Sequence, residues 1–235
     1  MGPSADLAAQ LAPRFTVITY DRRGRGESSD TLPYAVEREI EDLGALSTAA
    51  GGSAFVCGVS SGAALALEAA NRGLAIEKLV LYEAPFVVDD TRPPLPEDYA
   101  AQIDAAIAED RRGDAIKIFM RKGVGLEAVV VFLMRLMPAW SQMKAVAHTV
   151  ADDTAIVAGY QRGKPLPADR WTAVTAPTLV VDGSKSPDWM RNANPALARV
   201  IPGARHRTLP RQTHMVNAKV LAPVLVAFFE EGAVA

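Results

Sequence analysis

The sequence has few of the residues that cross-link or anchor a chain. Its single cysteine, Cys57, excludes an internal disulfide and favours a reducing compartment. No uninterrupted apolar run reaches the roughly 18 residues of a membrane-spanning helix, and the N-terminus shows no signal-peptide pattern. We therefore expect a cytoplasmic protein without a membrane partner.

An excess of charge is also absent. The formal net charge is −2 and the isoelectric point is about 6.0, so the chain lacks the basic surplus that binds nucleic acid or an anionic membrane. CxxC, HExxH and EF-hand patterns are missing, and no GxGxxG loop opens a helix. These absences predict no metal and no cofactor, and they favour a small-molecule partner over a nucleic acid.

Strand-like and helix-like segments alternate at both ends of the chain. Phe15–Tyr20, Ala54–Cys57 and Ile76–Glu83 are rich in β-branched or apolar residues and predict strands. Helical patterns lie between them, and the pattern resumes in the last quarter of the chain. This order predicts an α/β fold with a mostly parallel sheet flanked by helices. We expect residues 1–88 and 176–235 to form this core.

The middle of the chain, residues 89–175, has a different pattern of several short helices. Leu126–Met137 is apolar nearly all round, which predicts burial between two bodies rather than a surface helix. A helical insert followed by further strands predicts a cap laid over the edge of the sheet. Five apolar residues are expected to line a substrate pocket, with simple packing of the cap as the alternative for those that lie in it: Phe86, Phe132, Met134, Trp140 and Met215.

A short glycine-flanked motif joins the second predicted strand to a helix. The motif Gly58-Val59-Ser60-Ser61-Gly62 is a GxSxG. A serine on so tight a turn has strained backbone angles, and the close approach of the chain to itself leaves room only for glycine at the flanks. The strain projects the Ser60 hydroxyl outwards, while the start of the helix directs free N–H groups to the same point. The motif predicts a nucleophile at Ser60, and an ordinary strand–turn–helix is the alternative.

A nucleophilic serine needs a base that accepts a proton near neutral pH, which imidazole does. The chain has three histidines. His148 lies in a predicted helix of the cap and His206 within the last predicted strand. His214 follows that strand, at the edge where the sites of parallel sheets gather. His214 is therefore the predicted base, with an exposed loop histidine as the alternative.

Taken together, these elements resemble the α/β-hydrolase superfamily over nearly the whole chain. Three motifs carry the resemblance: the GxSxG elbow, the loop Asp21–Ser28 with its DxRGxGxS pattern, and Gln212-Thr213-His214 ahead of the last helix. The chain order serine, acid, histidine is also that of the superfamily. The resemblance implies an α/β-hydrolase fold with a helical cap, and a serine hydrolase that needs no cofactor.

The acid of the triad departs from the usual pattern. Members of the superfamily commonly have an aspartate three residues beyond a glycine after the second-last strand, but here Ser186 follows Gly183 at that distance. Haloalkane dehalogenases use instead a glutamate at the end of the strand after the elbow helix, and Glu83 resembles it. Glu83 is the preferred acid, with a salt bridge to a cap arginine as its structural alternative; Asp182 is the alternative acid.

The N-terminal strands of the superfamily are missing from this sequence. Its members have two or three strands ahead of the segment that corresponds to Gly2-Pro3-Ser4, including a central one. The oxyanion hole is expected to use the N–H of Ser61 and, with the usual loop missing, that of Gly2. An open central edge would also favour self-association, so a homo-oligomer is possible.

Two functions follow as hypotheses. The first is a hydrolase that cleaves an ester, lactone or related acyl bond of a small, largely apolar substrate. The second is a catalytically weak hydrolase-fold protein that binds a small apolar ligand or partner, which the missing strands and the missing aspartate motivate.

Overall fold

Four parallel strands form the sheet of the protein. In the computed structural model, which describes residues 4–232, they are β1 (Ala54–Val59), β2 (Ile76–Tyr82), β3 (Thr178–Gly183) and β4 (Arg205–Leu209), in that spatial order. The carboxyl ends of the strands meet at one edge because all of them run in the same direction. This edge is where ligands bind in open α/β sheets.

Helices make up most of the remaining structure. They are α1 (Ser4–Leu11), α2 (Val36–Ala49), α3 (Ser61–Asn71), α4 (Tyr99–Ala108), α5 (Arg112–Ile118), α6 (Ala128–Met134), α7 (Ala139–Ala145), α8 (Thr149–Val157), α9 (Asp188–Val200) and α10 (Ala218–Glu230). A π-helical turn, Phe119–Val124, continues α5, and a 3₁₀ turn, Ala158–Tyr160, continues α8. No helix within residues 4–232 is long and apolar enough to span a bilayer.

The sheet is covered by helices on both faces. On one face, α3 and α9 bury alanine and leucine side chains against Leu79 and Leu81 of β2. On the other face, α1 and α10 pack against Val80 and Tyr82. The alternation along β2 follows from the two-residue period of a strand, which sends successive side chains to opposite faces. The predicted α/β architecture is confirmed.

Helices α4 to α8 follow β2 and precede β3 in the chain. They have a hydrophobic cluster of their own, around Ile103, Ile116 and Trp140. We call residues 99–160 the helical insert. The burial predicted for Leu126–Met137 is wrong for most of that segment: Val131 is 2% exposed, but Phe132 is 59% and Leu136 73% exposed. The reason is that α6 is only seven residues long and presents one side to the cluster.

The strand expected at Phe15–Tyr20 does not form. Its backbone makes no ladder with β1, and the two segments instead face one another across a cavity of about 690 Å³. Among residues 4–232, β1 is therefore paired only on the side of β2. The β-branched composition of the segment favours extended backbone, but a strand also needs a neighbour within hydrogen-bonding distance.

Candidate active site

Ser60 occupies a strained turn between β1 and α3. Its backbone angles are φ 56° and ψ −127°, a conformation that costs a non-glycine residue free energy and clusters at functional sites. A Cβ on Gly58 would lie 2.4 Å from the carbonyl oxygen of Gly62, so the turn requires glycine at position 58. The Ser60 N–H donates to the Tyr82 carbonyl at 2.9 Å, which fixes the turn to the end of β2. Ser60 remains partly exposed.

Glu83 follows β2 and is fully buried. Its Oε1 accepts hydrogen bonds from the N–H of Gly183 at 2.7 Å and from the hydroxyl of Ser186 at 2.5 Å. Its Oε2 lies 2.8 Å from Nδ1 of His214. A buried carboxylate is costly unless it is hydrogen-bonded, and here both of its oxygens have partners. Like Ser60, Glu83 has a positive φ, 48°.

His214 lies in the loop between β4 and α10, with its side chain 35% exposed. The Tyr82 hydroxyl donates to the Thr213 carbonyl at 2.7 Å and so fixes the backbone beside it. Because a carboxylate only accepts hydrogen bonds, the contact with Glu83 assigns the imidazole proton to Nδ1 and leaves Nε2 as an acceptor. Burial, with Glu83 close by, raises the pKa of the Tyr82 phenol, which therefore stays neutral and can donate.

Ser60, Glu83 and His214 thus lie at the carboxyl edge of the sheet, each on a different segment. The Ser60 hydroxyl forms no hydrogen bond with the imidazole ring in the described part of the chain. Such contacts are often long without substrate and shorten when it binds. The structure brings the predicted acid and base into direct contact and anchors the predicted nucleophile to the strand next to them.

The other histidines have different surroundings. His206 Nε2 lies 3.2 Å from Asp182, the alternative acid, which is buried beneath it. His148 Nε2 lies 3.0 Å from the Gly24 carbonyl oxygen. Asp182 is thus engaged by a histidine other than His214.

One of the two predicted oxyanion donors, Ser61, lies within the described residues. Ser61 is the first residue of α3, so its N–H is among the amides without an intrahelical acceptor. Gly2 lies outside the described residues. The Ser61 hydroxyl also lies 3.3 Å from a guanidinium nitrogen of Arg22.

Arg22 is a residue that sequence reasoning did not single out. It forms ion pairs with Glu39 of α2 and, at 2.7 Å, with Asp153 of α8. Arg25 adds a second ion pair to Asp153, also at 2.7 Å. These contacts tie the helical insert to the loop beside the elbow. The charged residues of the DxRGxGxS loop were the available signal, but their partners are far away in sequence.

The five residues predicted to line a substrate pocket do not share one environment. Phe86 is 1% exposed and stacks on Trp171 in the core, while Phe132 and Met215 are 59% and 73% exposed. Met134 and Trp140 pack within the cluster of the insert. The prediction depended on hydrophobicity alone, which does not determine whether a side chain faces a pocket, the core or solvent.

Acidic side chains gather where the insert meets the 21–28 loop. Burial, together with the nearby carboxylates of Asp30, Glu39 and Asp153, raises the pKa of Asp152 to about 7, and Arg25 opposes the shift. Within residues 4–232, no three His, Cys, Asp or Glu side chains are arranged to hold a metal ion. The charge of this cluster therefore depends on pH.

Comparison with known proteins agrees with this geometry. A family model described as "Alpha/beta hydrolase family" matches residues 2–223. A crystal structure of an alpha/beta hydrolase from Sphaerobacter thermophilus shares 54% sequence identity, with a TM-score of 0.88 over 96% of this chain and 86% of that one. A search of the curated proteins finds no match.

More distant structures share the fold. A thermophilic esterase from Thermogutta terrifontis is 23% identical, with a TM-score of 0.65 over 97% of this chain and 83% of that one. A 2-hydroxy-6-oxo-6-phenylhexa-2,4-dienoate hydrolase from Rhodococcus is 19% identical, with a TM-score of 0.61 over 98% and 88%. The family match and the 54% identical structure agree with the elbow and the parallel sheet: this chain belongs to the alpha/beta hydrolase family.

Proposed function

We propose that the protein is a serine hydrolase that cleaves an ester, lactone or related acyl bond of a small, largely apolar substrate. The observation that carries the proposal is the contact between buried Glu83 and His214, 2.8 Å long, beside the strained turn of Ser60. A buried glutamate that satisfies three donors and orients an imidazole is the arrangement that a general base requires. The esterase among the structural neighbours is consistent with this class of reaction.

The reaction is proposed to run through an acyl-enzyme. The Ser60 hydroxyl attacks the carbonyl carbon while Nε2 of His214 accepts its proton, and the imidazolium then donates that proton to the leaving alcohol. Water, activated by the same nitrogen, hydrolyses the acyl-serine. Glu83 holds Nδ1 and stabilises the imidazolium in both steps. The N–H of Ser61, with that of Gly2 as the second donor, is proposed to bind the oxyanion.

The helical insert is proposed to act as the cap over this site. Its α8 is joined to the loop beside the elbow through Asp153, which pairs with Arg22 and Arg25. Arg22 in turn reaches the Ser61 hydroxyl. The position of the insert is thereby linked to the turn that carries the nucleophile.

Hydrolysis of p-nitrophenyl butyrate tests the proposal. Ser60→Ala and His214→Ala should each lower kcat/KM by about 10³-fold or more, because removing one member of a triad removes the function of the whole. Ser53→Ala and His206→Gln are the matched controls and should stay within a few-fold of the wild type. Circular dichroism verifies that each variant folds. Unchanged turnover in Ser60→Ala would remove this residue from the mechanism.

The second hypothesis, a catalytically weak protein that binds a small apolar ligand, has one observation in its favour: no hydrogen bond joins the Ser60 hydroxyl to the described His214 ring. It predicts that the folded wild type hydrolyses neither p-nitrophenyl acetate nor p-nitrophenyl butyrate. Turnover that depends on Ser60 rejects it.

A further inference from the structure

A second cavity lies within the helical insert, away from the proposed catalytic residues. It has a volume of about 630 Å³ and is bounded by α5, by α7 and by Arg135 just after α6. Its lining includes none of Ser60, Glu83 and His214. The volume is in the range of sites for small organic molecules. We call this cavity the insert cleft.

The insert cleft has a local positive surplus, although the whole chain has a net charge of −2. Its lining contains two carboxylates and five basic side chains, and Glu109, outside the lining, pairs with Arg111 at 2.8 Å, which leaves a surplus of two positive charges. Both carboxylates are already neutralised: Asp110 pairs with Arg112 at 2.9 Å, and Asp114 pairs with Arg111 at 3.0 Å.

The other three basic residues, Lys117, Arg135 and Lys144, have no acidic partner within 4.0 Å among residues 4–232. All three are exposed to the cleft and the solvent. Like charges gathered around one concavity repel each other, and an anion bound between them would relieve that repulsion.

The floor of the insert cleft adds a neutral donor. Trp140 is 7% exposed, and its indole N–H has no acceptor in the described part of the chain. A Cβ on Gly113 would lie 4.0 Å from this indole nitrogen, so glycine leaves the floor beside it open. This N–H is reached by solvent, and it lies in the same concavity as the three unpaired cations.

We propose that the insert cleft binds a phosphate-bearing small molecule. All of its unpaired charged groups and its unpaired indole are hydrogen-bond donors, so a complementary ligand is anionic and rich in acceptors. Phosphate groups meet this description, and guanidinium and ammonium groups bind them through charge-assisted hydrogen bonds. The volume leaves room for more than one phosphate or for an attached organic group. A free phosphate ester and a phospholipid headgroup present the same chemistry.

Titration of the full chain with inorganic pyrophosphate by isothermal calorimetry tests the proposal. We expect saturable binding of one pyrophosphate per chain at low ionic strength that weakens as salt is added. Lys144→Glu and Arg135→Glu should each weaken it by about tenfold or more, the effect of losing one charge-assisted hydrogen bond. Trp140→Phe keeps the ring, removes the N–H and should cause a smaller loss.

Lys164→Glu is the matched control, because Lys164 is exposed, lies outside the insert cleft and undergoes the same change of charge. It should leave pyrophosphate binding unchanged. Absence of saturable binding to the folded wild type overturns the proposal. So does an equal loss in Lys164→Glu and Lys144→Glu, which would indicate diffuse attraction rather than a site.

Sedimentation with vesicles identifies the source of the phosphate. Binding to phosphatidylglycerol vesicles but not to phosphatidylcholine vesicles, lost in Lys144→Glu, would assign the site to a lipid headgroup. Pyrophosphate binding without vesicle binding would assign it to a free phosphate compound. Neither readout uses hydrolysis, so the result does not depend on the proposed catalytic function.

Discussion

The two sides of β1 have different partners. On one side β1 pairs with β2 along its whole length, and the strand ends there carry Ser60 and Glu83. On the other side lie the cavity and the unpaired segment Phe15–Tyr20. The proposed nucleophile, acid and base therefore all depend on the paired half of the sheet. The predicted second oxyanion donor, Gly2, belongs to the segment ahead of the open half.

The open side has consequences for association as well. Unpaired strand edges accept strands from other chains, and Ile18, 49% exposed, adds apolar surface there. The homo-oligomer predicted from the sequence, which stays a prediction, would bury this edge.

The largest effect is expected from replacing the proposed acid, Glu83, on the paired side of β1. Glu83→Gln should lower kcat for p-nitrophenyl butyrate by about 10⁴-fold, the loss found when a triad acid is replaced by its amide. The cause is the imidazole, which loses the partner that fixes its tautomer and stabilises its cation. Asp182→Asn is the comparison variant and should lose far less, because Asp182 contacts His206. If Asp182→Asn shows the larger loss, the acid has been assigned to the wrong residue.

Two side-chain truncations compare how much each side of β1 contributes to the free energy of unfolding. Leu81 of β2 is fully buried, so Leu81→Ala should lower the free energy of unfolding by about 2–5 kcal/mol. Ile18 is half exposed and lies along the open cavity, so Ile18→Ala should change it by about 0.5 kcal/mol or less. Urea unfolding followed by circular dichroism measures both. Equal losses would show that residues 15–20 are as well packed in solution as the paired strands.

The smallest expected effect is a pH dependence of the free energy of unfolding. It arises where the helical insert contacts the 21–28 loop, which follows Phe15–Tyr20. The pKa of Asp152 is raised from its ordinary value of 3.8 to about 7, mainly by burial and also by the carboxylates of Asp30, Glu39 and Asp153. Between these two values the folded state holds a proton that the unfolded state has lost, so this residue makes stability fall as pH rises from about 4 to 7. Asp152→Asn removes the titration.

Urea unfolding of the wild type and Asp152→Asn at pH 5 and pH 8 measures this contribution. The variant should gain stability relative to the wild type as pH increases. A difference that is independent of pH would mean that Asp152 titrates normally.

The parts of this fold that depend on local pattern were predictable from the sequence. The strands predicted at Ala54–Cys57 and Ile76–Glu83 form as Ala54–Val59 and Ile76–Tyr82, because apolar runs and flanking breakers are local signals. The GxSxG turn was recognisable from its spacing, but the expected need for glycine at both flanks is wrong at one of them. Close packing restricts position 58, whereas a Cβ on Gly62 would meet no atom within 4 Å. Glu83 could be proposed as the acid only through a resemblance to other proteins.

The features that the sequence did not predict depend on distant parts of the chain. The hydrogen bond from Ser186 to Glu83 spans 103 residues, and the ion pair between Arg22 and Asp153 spans 131. The failure at Phe15–Tyr20 has the same cause, since composition favours extended backbone but pairing depends on what lies beside it. The positive charge of the insert cleft comes from several segments of the chain, and the nearly neutral net charge of the whole sequence gave no indication of it.

The most direct test of the proposed catalytic role of Ser60 is covalent labelling with a fluorophosphonate, followed by peptide mass spectrometry. The proposed mechanism predicts one adduct, on Ser60, that forms in the wild type and slows strongly in His214→Ala, because the hydroxyl is nucleophilic only beside its base. A folded wild-type protein that remains unlabelled, or that is labelled elsewhere while Ser60 stays free, would contradict it.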